Sequence, residues 1–254
     1  MSSPFDLTGK VAIVTGSSRG IGRSIAETMA GLGAKIVVSS RKAEACEAVA
    51  DAIRAKGGTA KVIPCNISRK PEVEALVAET KAAFGQIDIL VCNAAINPVY
   101  GPLGGLTDEA FDKIMGANVK SNLWLCNLVM PGMAEAGGGA VVIVSSIAGL
   151  RGTEVIGGYG ISKAADFALA RNLALEWGPK KVRINCIAPG LINTDFAQAL
   201  MANPEILAER NRHTPLRRVG MPDEIGGVAA FLASPASSYM TGQVVVVDGG
   251  VTIA

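Results

Sequence analysis

Two side chains able to move a proton stand four residues apart in Tyr159-Gly160-Ile161-Ser162-Lys163. On a helix, positions i and i+4 share a face one turn apart, so the phenol and the ammonium can enter one site. A free tyrosine hydroxyl has a pKa of about 10 and stays protonated at neutral pH. A lysine charge beside it stabilises the phenolate and lowers that value, making the hydroxyl a usable proton donor and acceptor. The same spacing also arises on ordinary solvated helix faces, so the rest of the chain has to support it.

Support begins near the amino terminus. Lys10-Val11-Ala12-Ile13-Val14-Thr15 reads as a short buried strand, and Gly16-Ser17-Ser18-Arg19-Gly20-Ile21-Gly22 comes directly after it. The helical spacing of Ile25, Ala26, Met29 and Ala30 comes next. Strand, glycine turn and helix in succession is the context a dinucleotide site requires. Glycine allows positive φ and close approach of a pyrophosphate, and a helix starting near Gly20 offers free N–H groups and its positive dipole end. The spacing is G-x-x-x-G-x-G rather than the commoner G-x-G-x-x-G.

The elements that must carry these groups alternate. Strand-like runs fall at Val11–Thr15, Lys35–Ser39, Ala60–Cys65, Ile87–Cys92, Ala140–Ser145, Arg183–Ala188 and Gln243–Val247. Helical patterns lie between them at about Ile21–Leu32, Ala43–Lys56, Pro71–Phe84, Asp108–Met133, Gly158–Trp177 and Asp223–Ala233. Strands apolar on both faces and alternating with helices predict an α/β fold. The expectation is a single-domain, doubly wound Rossmann fold over residues 1–254, with a parallel seven-stranded sheet and helices on both faces. Gly16, Asn93, Ser146 and Pro189 all sit just past strand ends, so four motifs should converge on one rim. The long connection at about 190–222, with Pro204, Pro215 and Pro222, is either a substrate lid or a surface excursion packed on the sheet.

Composition narrows the function. The chain has 254 residues, 49% hydrophobic and 18% charged, which suits one large domain with buried surfaces. No apolar run approaches the roughly 18 residues of a membrane span, and Met1–Asp6 lacks a leader pattern, so a cytoplasmic protein is expected. A formal charge of +2 gives no case for nucleic acid or membrane partners. Five scattered cysteines without a C-x-x-C pair read as reduced thiols, and the one histidine, His213, cannot build a multi-histidine zinc site. No metal site is expected, and with no G-x-S-x-G a triad hydrolase is a poor reading.

The tyrosine–lysine pair and the glycine turn, in this order and separation, resemble the short-chain dehydrogenase/reductase family. The resemblance runs through Cys92-Asn93-Ala94-Ala95 (the family's Asn-Asn-Ala-Gly), Asn118, Ser145-Ser146, Pro189-Gly190 and Val247-Asp248-Gly249-Gly250. Within the family it resembles 3-oxoacyl thioester reductases and carbonyl reductases in general pattern, a fold-level analogy that does not identify the substrate. It implies that Tyr159 is the general acid/base and that the Ser146 hydroxyl binds the substrate oxygen. Lys163 would lower the tyrosine pKa and hold the nicotinamide ribose. Asn118 would kink its helix and hold a water linking Lys163 to solvent. Ser145, beside Ser146, should point to the other side of its strand.

Cofactor contacts implied by the resemblance are Gly16, Ser18, Arg19, Gly20, Ile21, Gly22, Ser40, Arg41, Asn66, Ile67, Asn93, Ala94, Tyr159, Lys163, Pro189, Gly190, Ile192 and Thr194. Asn66-Ile67 stands where relatives carry Asp-Val, and Cys92 and Ala95 depart from the family block. NAD-using relatives place an aspartate at the end of the second strand. Here the sequence is Val38-Ser39-Ser40-Arg41-Lys42, and with Arg19 it favours NADP(H), NAD(H) remaining open. Asn97, Val99, Tyr100, Leu150, Glu154, Val155, Leu191, Phe196 and Met201 form a mainly apolar candidate lining, which suits several classes of ketone or secondary alcohol equally. The expected function is a reversible carbonyl reductase or alcohol dehydrogenase, and the expected assembly a homotetramer. Alternatives are a nucleotide-binding sensor or scaffold without turnover, or a lyase or dehalogenase on the same fold. The intact Tyr159, Lys163 and Ser146 speak against the first, the intact glycine turn against the second.

Overall fold

The computed structural model describes residues 3–254. Seven strands form one sheet: β1 (Val11–Thr15), β2 (Lys35–Ser39), β3 (Thr59–Val62), β4 (Ile89–Cys92), β5 (Gly139–Val144), β6 (Val182–Pro189) and β7 (Val244–Val247). Their order is β3-β2-β1-β4-β5-β6-β7, and every pairing is parallel. This is the doubly wound Rossmann arrangement, in which the order reverses between β1 and β4 and opens a crevice at the strands' carboxyl ends.

Each face of the sheet buries its own apolar cluster. On one side, α1 (Gly20–Gly31), α2 (Ala43–Ala55) and α9 (Pro222–Ala233) cover Val14, Ile36, Val38, Val91 and Val142. On the other, α3 (Lys70–Phe84), α5 (Ser121–Glu135) and α6 (Gly157–Trp177) cover Ile13, Val37, Leu90, Val141 and Ile143. Alternate residues of one strand thus enter opposite cores, which is why these strands read as continuous apolar runs.

Three departures from the sequence reading are local. β3 stops at Val62 although Ile63 and Cys65 still donate to Val38 and Ser40; Pro64 between them faces the open edge of the sheet, where its missing N–H costs no ladder bond. β4 starts at Ile89 rather than Ile87, because Asp88 turns its carboxylate onto the Val11 N–H at 2.9 Å and the Lys10 Nζ at 3.2 Å. The helix expected over Asp108–Met133 is α4 (Asp108–Met115) joined to α5 by a π turn, Gly116–Lys120. The connection at 190–222 is not structureless. It carries a 3₁₀ turn at Asp195–Ala197, α7 (Gln198–Met201) and α8 (Pro204–His213).

Candidate active site

The glycine turn is built against the end of β4. Gly16 (φ +66°) and Gly20 (φ +55°) adopt the left-handed backbone that a side chain resists. A Cβ on Gly16 would stand 2.9 Å from Asn93 Nδ2 and 3.0 Å from Ala94 Cα. Asn93 Nδ2 donates to the Thr15 carbonyl at 2.8 Å, while the Thr15 hydroxyl accepts from the N–H groups of Asn93 and Ala94 at 3.0 and 3.1 Å. Thr15, which no sequence pattern singles out, is therefore the other half of this clip. It pins the β1 turn to β4 and leaves the N-terminus of α1 facing the cleft.

Ser146 and Tyr159 meet beyond the end of β5. Ser146 caps a 3₁₀ turn through Ala148, and Ser145 points the opposite way, its hydroxyl donating to the Lys163 carbonyl at 2.8 Å. Tyr159 lies in the first turn of α6 with its ring centroid 6.0 Å from that of Phe196. Lys163 Nζ sits 5.6 Å from the centre of the tyrosine ring.

The lysine is held from behind. Its Nζ donates to the Val144 carbonyl at 3.0 Å and to Asp166 Oδ2 at 3.1 Å, and both side chains are buried. Asp166 is a site residue that the sequence motifs do not point out. Its only signal along the chain is the i+3 spacing from Lys163, which places a carboxylate next to the ammonium on one face of α6.

Asp166 alters the electrostatics that the tyrosine–lysine spacing implies. The Tyr159 phenol is raised above its usual value rather than lowered. Burial is the main cause and the Asp166 charge adds to it, against the pull of Lys163 and Ser146. For Lys163, burial works against the charge, yet Asp166 and Tyr159 outweigh it and the ammonium is held above its ordinary value. Burial raises the Asp166 carboxyl, opposed by Lys163 and Asn122.

Asn118 is at the π turn, consistent with a helix irregularity there. Its side chain lies behind the cleft: Oδ1 accepts from the Ile96 N–H at 2.8 Å, and Nδ2 donates to the Ile96 carbonyl and to Ser162 Oγ, both at 3.0 Å. The Asn118 main-chain carbonyl takes the Asn122 side-chain amide at 2.6 Å.

The remaining expected residues share one cleft of about 1140 Å³. Gly16, Ser18, Arg19, Gly20, Ile21, Gly22, Ser40, Arg41, Asn66, Ile67, Asn93, Ala94, Ser146, Tyr159, Lys163, Pro189, Gly190, Ile192 and Thr194 all line it. Pro189 ends β6, and the Gly190 N–H donates to Val247 at 2.9 Å. Thr194 packs its methyl toward Gly20. Asn66 Oδ1 accepts from the Ser68 N–H at 3.1 Å, so it is engaged in its own turn.

Of the two arginines, Arg41 is exposed at the end of β2. Arg19 is already paired, its Nη1 lying 3.0 Å from Asp195 Oδ2 across the cleft. From the apolar set, Asn97, Tyr100, Val155, Leu191 and Phe196 line the cleft, whereas Val99, Leu150, Glu154 and Met201 do not. Asn97 Oδ1 is buried with no partner among the described residues. No group of three or more His, Cys, Asp or Glu placed to hold a metal occurs among them. No helix among the described residues is long and apolar enough to cross a membrane.

A nicotinamide dinucleotide fits these residues. The left-handed glycines and the free end of α1 would take its pyrophosphate, Lys163 its ribose, and the Pro189–Thr194 stretch its ring end.

A family model described as Enoyl-(Acyl carrier protein) reductase matches residues 16–252. Dehydrogenase/reductase SDR family member 4 of Oryctolagus cuniculus is 43% identical over 247 residues, 96% of this chain and 94% of the relative. A 7α-hydroxysteroid dehydrogenase complexed with NADH and 7-oxo glycochenodeoxycholic acid superposes with a TM-score of 0.94. It is 39% identical, and the match covers 98% of both chains. A gluconate 5-dehydrogenase from Burkholderia cenocepacia J2315, in complex with NADP and tartrate, gives a TM-score of 0.94 at 32% identity, over 99% of this chain and 98% of that one. With the glycine turn, the tyrosine–lysine pair and the strand order all in place, the chain belongs to the short-chain dehydrogenase/reductase family of NAD(P)-binding oxidoreductases.

Proposed function

We propose that the protein interconverts a ketone and a secondary alcohol, with Tyr159 as general acid/base and NADP(H) as the preferred cofactor. The observation that carries this reading is the meeting of Ser146, Tyr159 and Lys163 on the cleft that the glycine turn also lines. The bound nicotinamide supplies or accepts the hydride. In the reductive direction, Tyr159 gives its proton to the carbonyl oxygen while the Ser146 hydroxyl donates a hydrogen bond to that oxygen as charge develops. In the oxidative direction, the tyrosine takes the alcohol proton, so the phenolate is the working form. Lys163 keeps its charge beside the phenol in both directions.

The NADP(H) preference rests on Arg41 and Ser40 at the end of β2, where no acid stands. The hydroxysteroid relative is a complex with NADH and the gluconate relative one with NADP, so kinship supports either choice. Residues 190–222 act as a substrate lid: Phe196 packs beside Tyr159, and the exposed Arg19–Asp195 pair tethers the segment to the glycine turn. A homotetramer is the proposed assembly, supported by exposed Leu123 on α5, Ile161 and Leu175 on α6, and Val246 and Ile253 near the chain end.

The test is nicotinamide absorbance change with a panel of ketones and alcohols, run with both cofactors. No turnover with any member, alongside retained cofactor binding, would favour a non-catalytic sensor instead.

A further inference from the structure

We infer that Asp166 is a positioning residue that fixes Lys163 and sets how readily the Tyr159–Lys163 pair gives up its first proton. This inference rests on the acid/base reading of Tyr159. The geometry is complete on the protein side. Asp166 is fully buried; Oδ2 takes the Lys163 ammonium at 3.1 Å and Oδ1 takes the Asn122 amide at 3.0 Å. That amide also donates to the Asn118 carbonyl at 2.6 Å. Two of the ammonium's three hydrogens are thus committed, to Asp166 and to Val144, which leaves one for the cleft.

Other titratable groups face this cluster from every side. Tyr100 faces Tyr159, and Cys186 of β6 donates its thiol to the Asp166 carbonyl at 3.5 Å. Cys92 of β4 and Cys126 of α5 lie beside it, and Arg171 of α6 faces Cys186. The Cys92 thiol is held up by its contact with Cys126 and by burial, the Cys186 thiol by burial, so neither supplies a negative charge near neutral pH. The carboxylate opposite Lys163 is Asp166, and it makes the Tyr159–Lys163–Asp166 cluster neutral while the phenol is protonated.

Removing that charge leaves a buried cluster of net charge +1. Such a cluster releases its first proton at lower pH, whichever of the two groups carries it. A unit charge this close, in a protein interior, moves a titration by about one to two pH units.

Asp166→Asn keeps a hydrogen-bond acceptor, whereas Asp166→Ala opens room for a water, so two shapes remove the same charge. In both, the acid limb of kcat/KM for alcohol oxidation should move down by about one to two pH units. A fall in kcat with the limb in place, in folded variants that bind cofactor normally, means a structural role only and overturns the inference. A second readout does not need turnover: phenolate absorbance in the cofactor-free protein, with Tyr159→Phe as the subtraction. The Tyr159 phenolate should form at lower pH in both variants than in the parent. A phenolate forming at the same pH in the parent and in either folded variant overturns the inference. A phenolate that shifts while the rate limb stays fixed would support Asp166 and sink Tyr159 as the acid/base.

Discussion

Arg41→Ala should cost about tenfold in the KM for NADPH and leave NADH nearly unchanged. The magnitude comes from the work each cation already does. A 2′-phosphate carries close to two negative charges and accepts bidentate contacts from a guanidinium. Two arginines border the cleft near the end of β2, but Arg19 is held by Asp195 at 3.0 Å with both side chains more than half exposed. Such an exposed pair is worth about 0–1 kcal/mol, which Arg19 must give up before it can serve a phosphate. Arg41 is exposed and in no ion pair among the described residues. One partly exposed charge-assisted contact contributes about 1.5 kcal/mol, or roughly tenfold. Arg41→Asp should then reverse the order, by repelling the phosphate and offering a carboxylate to a free ribose. The assay is initial-rate kinetics with both reduced cofactors at fixed substrate. Equal use of NADH by the parent, or an Arg41→Ala loss shared by both cofactors, would refute the reasoning and leave Arg41 stacked on adenine or facing water.

Tyr159→Phe should lower turnover by about two to four orders of magnitude with little change in cofactor affinity, measured by fluorescence titration; near-normal turnover would remove the mechanism. Lys163→Ala should damage turnover and cofactor binding together, and an effect on neither would remove its role. Because burial holds the Tyr159 phenol up, alcohol oxidation should rise with pH as the phenolate forms, whereas ketone reduction should hold until the phenol is lost. A pH profile with oxidation fastest in acid contradicts that sign. Sedimentation at micromolar concentration should give four chains per particle, and a monomer there would contradict the interface reading.

The parts of the fold and site legible in the sequence are those fixed by neighbours along the chain. β1, Gly16–Gly22 and α1 form one continuous run, so their hydrophobic spacing and glycine positions predict both strand end and helix start. Tyr159 and Lys163 share one helix face by spacing alone. The strand ends at Asn93, Ser146 and Pro189 converge because a parallel sheet sends every carboxyl end to one rim. Errors arise where a single side chain overrides the pattern. Asp88 moves the start of β4 by laying its carboxylate on the Val11 N–H of the neighbouring strand.

Asp166 is the larger miss, and it depends on how α5 lies beside α6. Asn118 meets Ser162 and Asn122 meets Asp166, both across 44 residues. A constant offset means that the two stretches run parallel and match turn for turn. That match passes through the π turn at Gly116–Lys120, whose wider winding re-aims the side chains of α5. An uninterrupted α-helix over Asp108–Met133, as the periodicity suggests, would present a different face to α6 beyond Asn118. Hydrophobic periodicity reports which residues are buried and is silent on winding, so a carboxylate behind the catalytic lysine is visible as spacing but not as contact. The same turn explains why Asn118 stands behind the cleft. Its amide is spent on Ile96 and Ser162, and its carbonyl on Asn122. Asn118 thereby ties the loop after β4 to α6, and Asn122 carries the tie on to the Asp166–Lys163 pair.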